Sequence, residues 1–142
     1  MINDVQTIAK NDNLVSINNC LMIDLTGQVC SESVGFRTIS GTGGQVDFVR
    51  AAHLSKGGMS FIALESTEET PNGTISKICT ALPPGTVVTT PRTDVHYVVT
   101  EYGIADLYCK SISARIESLI SIAHPDFRDQ LREEAIKVGL LR

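Results

Sequence analysis

The stretch "SGTGGQVDFVRAA", Ser40–Ala52, sets three glycines within four positions directly ahead of a segment with helical spacing. Glycine admits positive φ and leaves no Cβ to obstruct a ligand approaching the backbone. The helix that follows turns its unpaired N–H groups toward whatever sits at its start. The loop does not match the usual nucleotide fingerprints. Gly41-Thr42-Gly43-Gly44-Gln45-Val46 has no third glycine for GxGxxG and no Gly-Lys-Ser/Thr ending. Spacing alone therefore offers a strand-to-helix turn with exposed amides, suited to a phosphate or to an oxyanion forming on a carbonyl.

Downstream, Val46, Val49, Ala52 and Leu54 recur at helical intervals until "KGG" stops them. "MSFIALES" follows as a short, nearly continuous apolar run, the pattern of a buried strand. Upstream, Leu14–Leu25 is rich in strand formers and breaks at "TGQ", which predicts two short strands. "SESVGFRTISGTGG" reads as loop with a short strand, "EETPNGT" as a polar turn, and "ISKICTAL", "VVTTPR" and "VHYVVTE" as β-rich runs. In the last of these, Tyr97 and Val99 share a face with Glu101, while His96, Val98 and Thr100 share the other.

From Gly103 onward the chain reads as helical. Ile112, Ile116, Leu119, Ile120 and Ala123 form one stripe, Pro125 breaks it, and Asp126 is placed to cap the next helix. Phe127, Leu131, Ala135 and Val138 then line an inner face, Glu133 and Lys137 pair outside, and Gly139 suits C′. The sum predicts one α/β or α+β domain whose sheet is covered on both faces.

With 142 residues, 42% hydrophobic, 20% charged and a formal charge of -4, the composition is that of an ordinary globular domain. No basic run points to nucleic acid, and no apolar stretch approaches the ~20 residues that span a bilayer. The start, "MINDVQTIAKNDN", lacks the basic and apolar regions of a secretory signal, so a cytoplasmic location is expected. Cys20, Cys30, Cys79 and Cys109 form no CxxC pair and lie in or beside apolar runs, which predicts reduced cysteines and no metal. Among acid/base candidates, Glu32, Asp47 and Glu101 lie nearest the glycine turns. Asp47 equally suits a first helical turn, and His53, His96 and His124 suit packing or capping.

Five linked segments decide more than any one alone. "IDLTGQVCSESVG", "SGTGGQVDFVRAAHLSKGG", "GTISKI", "VTTPRTDVHYVVTEYGIADLYCKS" and "LISIAHPDFRDQL" occur in an order and at intervals that closely resemble the C-terminal domain of the acetyl-CoA hydrolase/transferase family. The family includes 4-hydroxybutyrate and butyryl-CoA:acetate CoA-transferases. The resemblance runs from about Asn13 to Leu131. It implies a NagB/RpiA/CoA-transferase-like α/β fold, with a mainly parallel central sheet flanked by helices and an active site where two related domains meet. Residues 1–142 would be the C-terminal domain, with the N-terminal half lying elsewhere.

The resemblance also implies the chemistry. A glutamate attacks the acyl-CoA thioester, giving an acyl-glutamyl anhydride and then a glutamyl-CoA thioester, and each addition builds charge on a carbonyl oxygen. Gly43 and Gly44 would lie against the thioester, with the Gly44 N–H as oxyanion donor, and Cys20 and Ser40 would line the coenzyme A site. The nucleophilic glutamate has no match here, and Glu32, Glu65 and Glu101 do not take its place. "STEETPNGTIS" departs from the shorter, often lysine-bearing turn of many relatives, so Glu68 and Glu69 would repel a CoA phosphate. No permanently bound cofactor is expected. Partners would be an acyl-CoA, a small carboxylate, the N-terminal domain and further copies of the chain. Hydrolysis, or a non-catalytic CoA-binding or interaction module, are the alternatives.

Overall fold

The computed structural model describes residues 3–142. In chain order the elements are α1 (Val5–Ile8), β1 (Val15–Asn19), β2 (Met22–Asp24), β3 (Val29–Cys30), β4 (Ser33–Val34) and β5 (Arg37–Thr38). Then come α2 (Gln45–Leu54), β6 (Met59–Ala63), β7 (Thr67–Thr70), β8 (Gly73–Ser76) and β9 (Ile78–Cys79). The chain ends with β10 (Tyr97–Thr100), β11 (Gly103–Asp106), α3 (Ile112–Ile122) and α4 (Pro125–Lys137). This is a mixed α/β architecture with a mainly parallel sheet.

The main sheet runs β1-β6-β10-β11, parallel through the first three strands and antiparallel at the last. Strand alternation then sorts residues between two faces. Asn18, Ile62, Val98 and Ala105 stand in one register row, and that face is buried under α2 and α3. Val49 of α2 and Ile116, Leu119 and Ile120 of α3 pack with Ile62 and Val98 in one core. The Thr100 hydroxyl donates to the Ile122 carbonyl at 2.6 Å, tying β10 to the end of α3. A second, three-stranded sheet, β3-β2-β9, extends the core through Ile23, Val29 and Ile78, and α4 reaches it with Leu131 and Ala135.

The other face of the main sheet carries no helix among the described residues. Ile17 is 69% exposed and Ile104 61%, and Val15 and Met59 are exposed beside them. The expectation of a sheet covered on both faces is therefore corrected. The apolar run "MSFIA" reflects a central strand whose Ser60 and Ile62 are buried, while Phe61 and Ala63 look out.

Four local expectations also change. The segment after Gly103 first forms β11, because Val98 and Thr100 find antiparallel partners in Ala105 and Gly103; helix begins only at Ile112, after the Ser111 cap. "EETPNGT" is a hairpin, β7 to β8, rather than a bare turn. "VVTTPR" makes only a single bridge, Val29 to Thr90, with prolines on either side. The α4 cap is His124, whose Nδ1 accepts from the Asp126 N–H, leaving Asp126 in the first turn; Val138 falls past the helix end and is exposed.

Candidate active site at the carboxyl ends of the parallel strands

β1, β6 and β10 end at one side of the sheet, and a cleft of about 540 Å³ opens there. Open α/β sheets bind ligands outside the carboxyl ends of their strands. Asn19 and Cys20 follow β1, Leu64 and Glu65 follow β6, Thr100 and Glu101 close β10, and Lys77 contributes a cation. Cys20 is nearly buried, and burial pushes its thiol up to about 12. It lines the cleft as a protonated, apolar group rather than as a thiolate nucleophile.

The helix start that follows the glycine loop is tied to the edge of this cleft by Gln45, the first residue of α2. Gln45 Nε2 donates to the Asn19 carbonyl at 2.9 Å and to Ser31 Oγ at 2.8 Å, and its Oε1 accepts from Thr90 Oγ1 at 2.8 Å. Sequence reading missed this residue, since its three partners lie 14 to 45 positions away. Gln45 pins the helix start to the end of β1.

Ahead of it, Gly41 and Gly43 are exposed and Gly44 is half-buried at the N-cap of α2. Gly43 has φ +57°, which strongly favours glycine. Among the described residues no hydrogen bond takes up the amide of Gly43 or Gly44. Ser40 Oγ donates to the Ser31 carbonyl at 3.2 Å and thereby ties the loop entry to the strand end. The structure thus brings Cys20, Ser40, Gly43 and Gly44 to one end of the sheet.

Of the carboxylates set aside on sequence, Glu101 and Glu32 are hydrogen-bonded within the fold, whereas Glu65 is exposed at the cleft. Burial acts to raise the Glu101 carboxyl, but the hydroxyl and amide of Ser66 both donate to it and hold it below the usual range. Buried Glu32 accepts from Thr89 Oγ1 at 2.7 Å. Asp47 sits in the first turn of α2, where the helix dipole favours it. Thr67–Ser76, with Glu68 and Glu69 exposed, forms the hairpin beside Lys77.

At the amino ends of the strands, remote from the glycine loop along α2, His53, His96, Tyr97 and Tyr108 stack; the His53 and His96 rings lie 5.4 Å apart. Burial first, and then the neighbouring His53, hold the His96 imidazole below its ordinary 6.5; Asp106, with Oδ1 3.9 Å from Nε2, pulls the other way. The unfolded chain therefore binds a proton that the folded chain resists. Stability is fully present above about pH 6.5 and is lost as the pH falls from there toward the folded value. Thermal denaturation between pH 7.5 and 5.5, above the carboxylate range, should show Tm falling with acidification. His96→Phe, which keeps the stack on Tyr97, should flatten that slope, and an unchanged slope would assign the loss elsewhere.

No helix among the described residues is long and apolar enough to cross a membrane. Residues 1–135 match the profile of the acetyl-CoA hydrolase/transferase C-terminal domain. The chain is 54% identical over 133 residues to the 4-hydroxybutyrate coenzyme A transferase of Clostridium kluyveri, covering 94% of this chain and 30% of that protein. It is 48% identical over 141 residues to the butyryl-CoA:acetate CoA-transferase of Anaerostipes caccae, covering 99% and 32%. Among solved structures, RipA from Yersinia pestis superposes with a TM-score of 0.84 at 47% identity, over 99% of this chain and 30% of that one. The chain thus spans about 30% of the length of the relatives it matches. On these grounds it belongs to the acetyl-CoA hydrolase/transferase family, through that family's C-terminal domain.

Proposed function

We propose that these residues are the C-terminal part of a CoA-transferase that moves CoA between a short-chain acyl-CoA and a carboxylate such as acetate. The observation that supports this reading is the Gly43–Gly44 loop, whose amides take part in no hydrogen bond among the described residues and which precedes a helix that Gln45 ties to the carbonyl of cleft-lining Asn19. The nucleophilic glutamate would come from a segment outside residues 1–142. Its carboxylate adds to the thioester carbonyl and expels CoA thiolate, leaving an acyl-glutamyl anhydride. The thiolate then adds to the glutamyl carbonyl and releases the acyl group as a carboxylate. The acceptor carboxylate repeats these steps in reverse order.

Each addition places charge on a carbonyl oxygen, and preorganised N–H donors stabilise it without reorganising water. The Gly44 amide takes that role. Cys20 and Ser40 line the path of the coenzyme, with CoA as substrate rather than resident cofactor. The protonated Cys20 thiol suits this place, because a competing thiolate would attack the same thioester. The NagB/RpiA-like arrangement, a parallel sheet with its site at the domain junction, is the fold this reading requires.

The test joins residues 1–142 to the N-terminal part of the Clostridium kluyveri relative and assays butyryl-CoA with acetate. Expected are ping-pong kinetics from the joined polypeptide and no turnover from residues 1–142 alone. Turnover from residues 1–142 alone would place the nucleophile within them and overturn the assignment. A joined polypeptide that binds CoA but releases only free CoA and acid would make the protein a hydrolase.

A further inference from the structure

Two hydroxyl-bearing segments with no place in the chemistry, Ser31 and the Thr89–Thr90 pair of "VTTPR", converge at the glycine loop. Ser31 holds the loop at both ends. Its carbonyl accepts from Ser40 Oγ at 3.2 Å, and its hydroxyl accepts from Gln45 Nε2 at 2.8 Å. Ser31 is itself fixed, since its N–H donates to Thr89 Oγ1 at 2.9 Å and that hydroxyl donates to Glu32 Oε2 at 2.7 Å. Gly44, at the N-cap of α2, has no side chain to close the helix start. The side-chain anchor nearest to its amide is therefore Gln45.

The Gln45 carboxamide is held in one orientation by the polarity of its partners. Gln45 is 9% exposed. Nε2 faces two acceptors, the Asn19 carbonyl at 2.9 Å and Ser31 Oγ, while Oε1 faces the hydroxyl of fully buried Thr90 at 2.8 Å. A carbonyl can only accept, so Asn19 fixes which end of the amide points at β1. Turning the carboxamide over would set two acceptors against each other and strand polar groups away from water.

Rigidity at this point bears on the reaction. An oxyanion donor helps only if its N–H already points at the developing charge, and a displacement of about 1 Å costs up to about 10²-fold. Only the φ and ψ of Gly44 separate its N–H from the peptide that begins Gln45. Glycine leaves those torsions soft, so the direction of the N–H follows the anchor of α2. The same carboxamide holds the carbonyl of Asn19, which lines the cleft. One side chain thus sets the glycine amide against the β1 side of the cleft.

We propose that Gln45 is a positioning residue for the transfer reaction. It does not touch the substrate; through Thr90, Ser31 and Asn19 it fixes the direction in which the Gly44 N–H meets the thioester oxygen. The inference rests on the reading of Gly44 as oxyanion donor and deepens it. It also gives the threonine pair a purpose, since Thr90 orients the carboxamide while Thr89 holds Ser31, its second acceptor. Gln45→Met keeps the length of the side chain and deletes both donors and the acceptor. Thr90→Val keeps the shape of its side chain and deletes only the donor to Oε1.

The test is steady-state transfer from butyryl-CoA to acetate by residues 1–142 joined to the N-terminal part of the Clostridium kluyveri relative. Gln45→Met is made in the parent, in Gly44→Ala and in Gly44→Pro. The alanine background carries a Cβ and keeps the amide hydrogen, whereas the proline background lacks that hydrogen. In the parent and in Gly44→Ala, Gln45→Met should lower kcat about 10- to 100-fold, with KM for butyryl-CoA within about threefold. In Gly44→Pro the further fall should be less than about threefold, because no donor remains to be misdirected. Thr90→Val should lower kcat about 3- to 10-fold with the same dependence on background, and it carries the test if Gln45→Met does not fold. A loss that is equal in all three backgrounds would be structural and would overturn the proposal, as would parental kcat in both folded variants. A joined parent that consumes no butyryl-CoA, or parental turnover in Gly44→Pro, would instead remove the oxyanion reading and the proposal with it.

Discussion

Replacing Gly44 with proline in the joined polypeptide should lower kcat about 10²- to 10³-fold with KM little changed, the loss expected when one oxyanion donor is removed. Proline deletes the amide hydrogen; it also brings a ring whose Cβ would stand 2.7 Å from Asn3 Nδ2 and draws φ from -105° toward about -65°, so the alanine companion is needed to separate the two effects. The split between kcat and KM follows because the donor meets full negative charge only in the transition state. Gly44→Ala is the companion variant, since it keeps the N–H at an ordinary φ of -105°. Its Cβ would come 2.7 Å from Asn3 Nδ2, the far end of a side chain that can swing aside. Its activity should therefore fall by less than that of the proline variant. Gly43→Ala meets no atom within 4 Å but must hold φ near +57°, at a cost of about 1–2 kcal/mol. Steady-state kinetics together with Tm on all three variants separate the loop's chemistry from its conformation. Turnover within a few-fold of the parent for Gly44→Pro would remove the amide from the mechanism.

Arg115→Ala should destabilise the fold by about 3 kcal/mol, a fall in Tm of about 10 °C for a domain of this size. Arg115 is 7% exposed on α3, and its guanidinium donates to the carbonyls of Arg92 at 2.7 Å, Thr26 at 3.3 Å and Lys110 at 3.3 Å. It stitches the β2–β3 turn and the segment before β10 to the start of α3. Gly27 makes room for it, since a Cβ there would stand 2.8 Å from Nη1. No carboxylate pairs with this cation among the described residues, so truncation relieves a desolvation cost. Three part-buried hydrogen bonds lost together, and the lost packing of the aliphatic stem, outweigh that relief. Arg115→Lys should recover part of the loss, because one ammonium cannot reach all three acceptors. Denaturant unfolding showing less than about 1 kcal/mol for Arg115→Ala would mean that solvent already reaches these carbonyls.

Arg115 also shows why the sequence reading stopped where it did. The stripe Ile112, Ile116, Leu119, Ile120 and Ala123 was legible because each residue faces the core by helical spacing alone, and the structure buries all but the half-buried Ile112. Arg115 lies next to that stripe and reads as a solvated charge, since its acceptors sit 5, 23 and 89 positions away. β11 was hidden for a related reason: "GIAD" has little strand character until Val98 and Thr100 pair with it. His124, not Asp126, caps α4 because Pro125 occupies the first helical position, which sets the cap two residues earlier than expected.

The glycine loop, the helix after it, the β-rich core segments and the family itself were written in the order of residues, because backbone permission and apolar spacing are local properties. Tertiary structure alone decided that one sheet face is bare, that β1 has an open edge, and that Gln45 draws the glycine amides to the end of that strand. Those outcomes depend on which strands neighbour one another and in which direction crossovers turn, and a linear pattern carries neither.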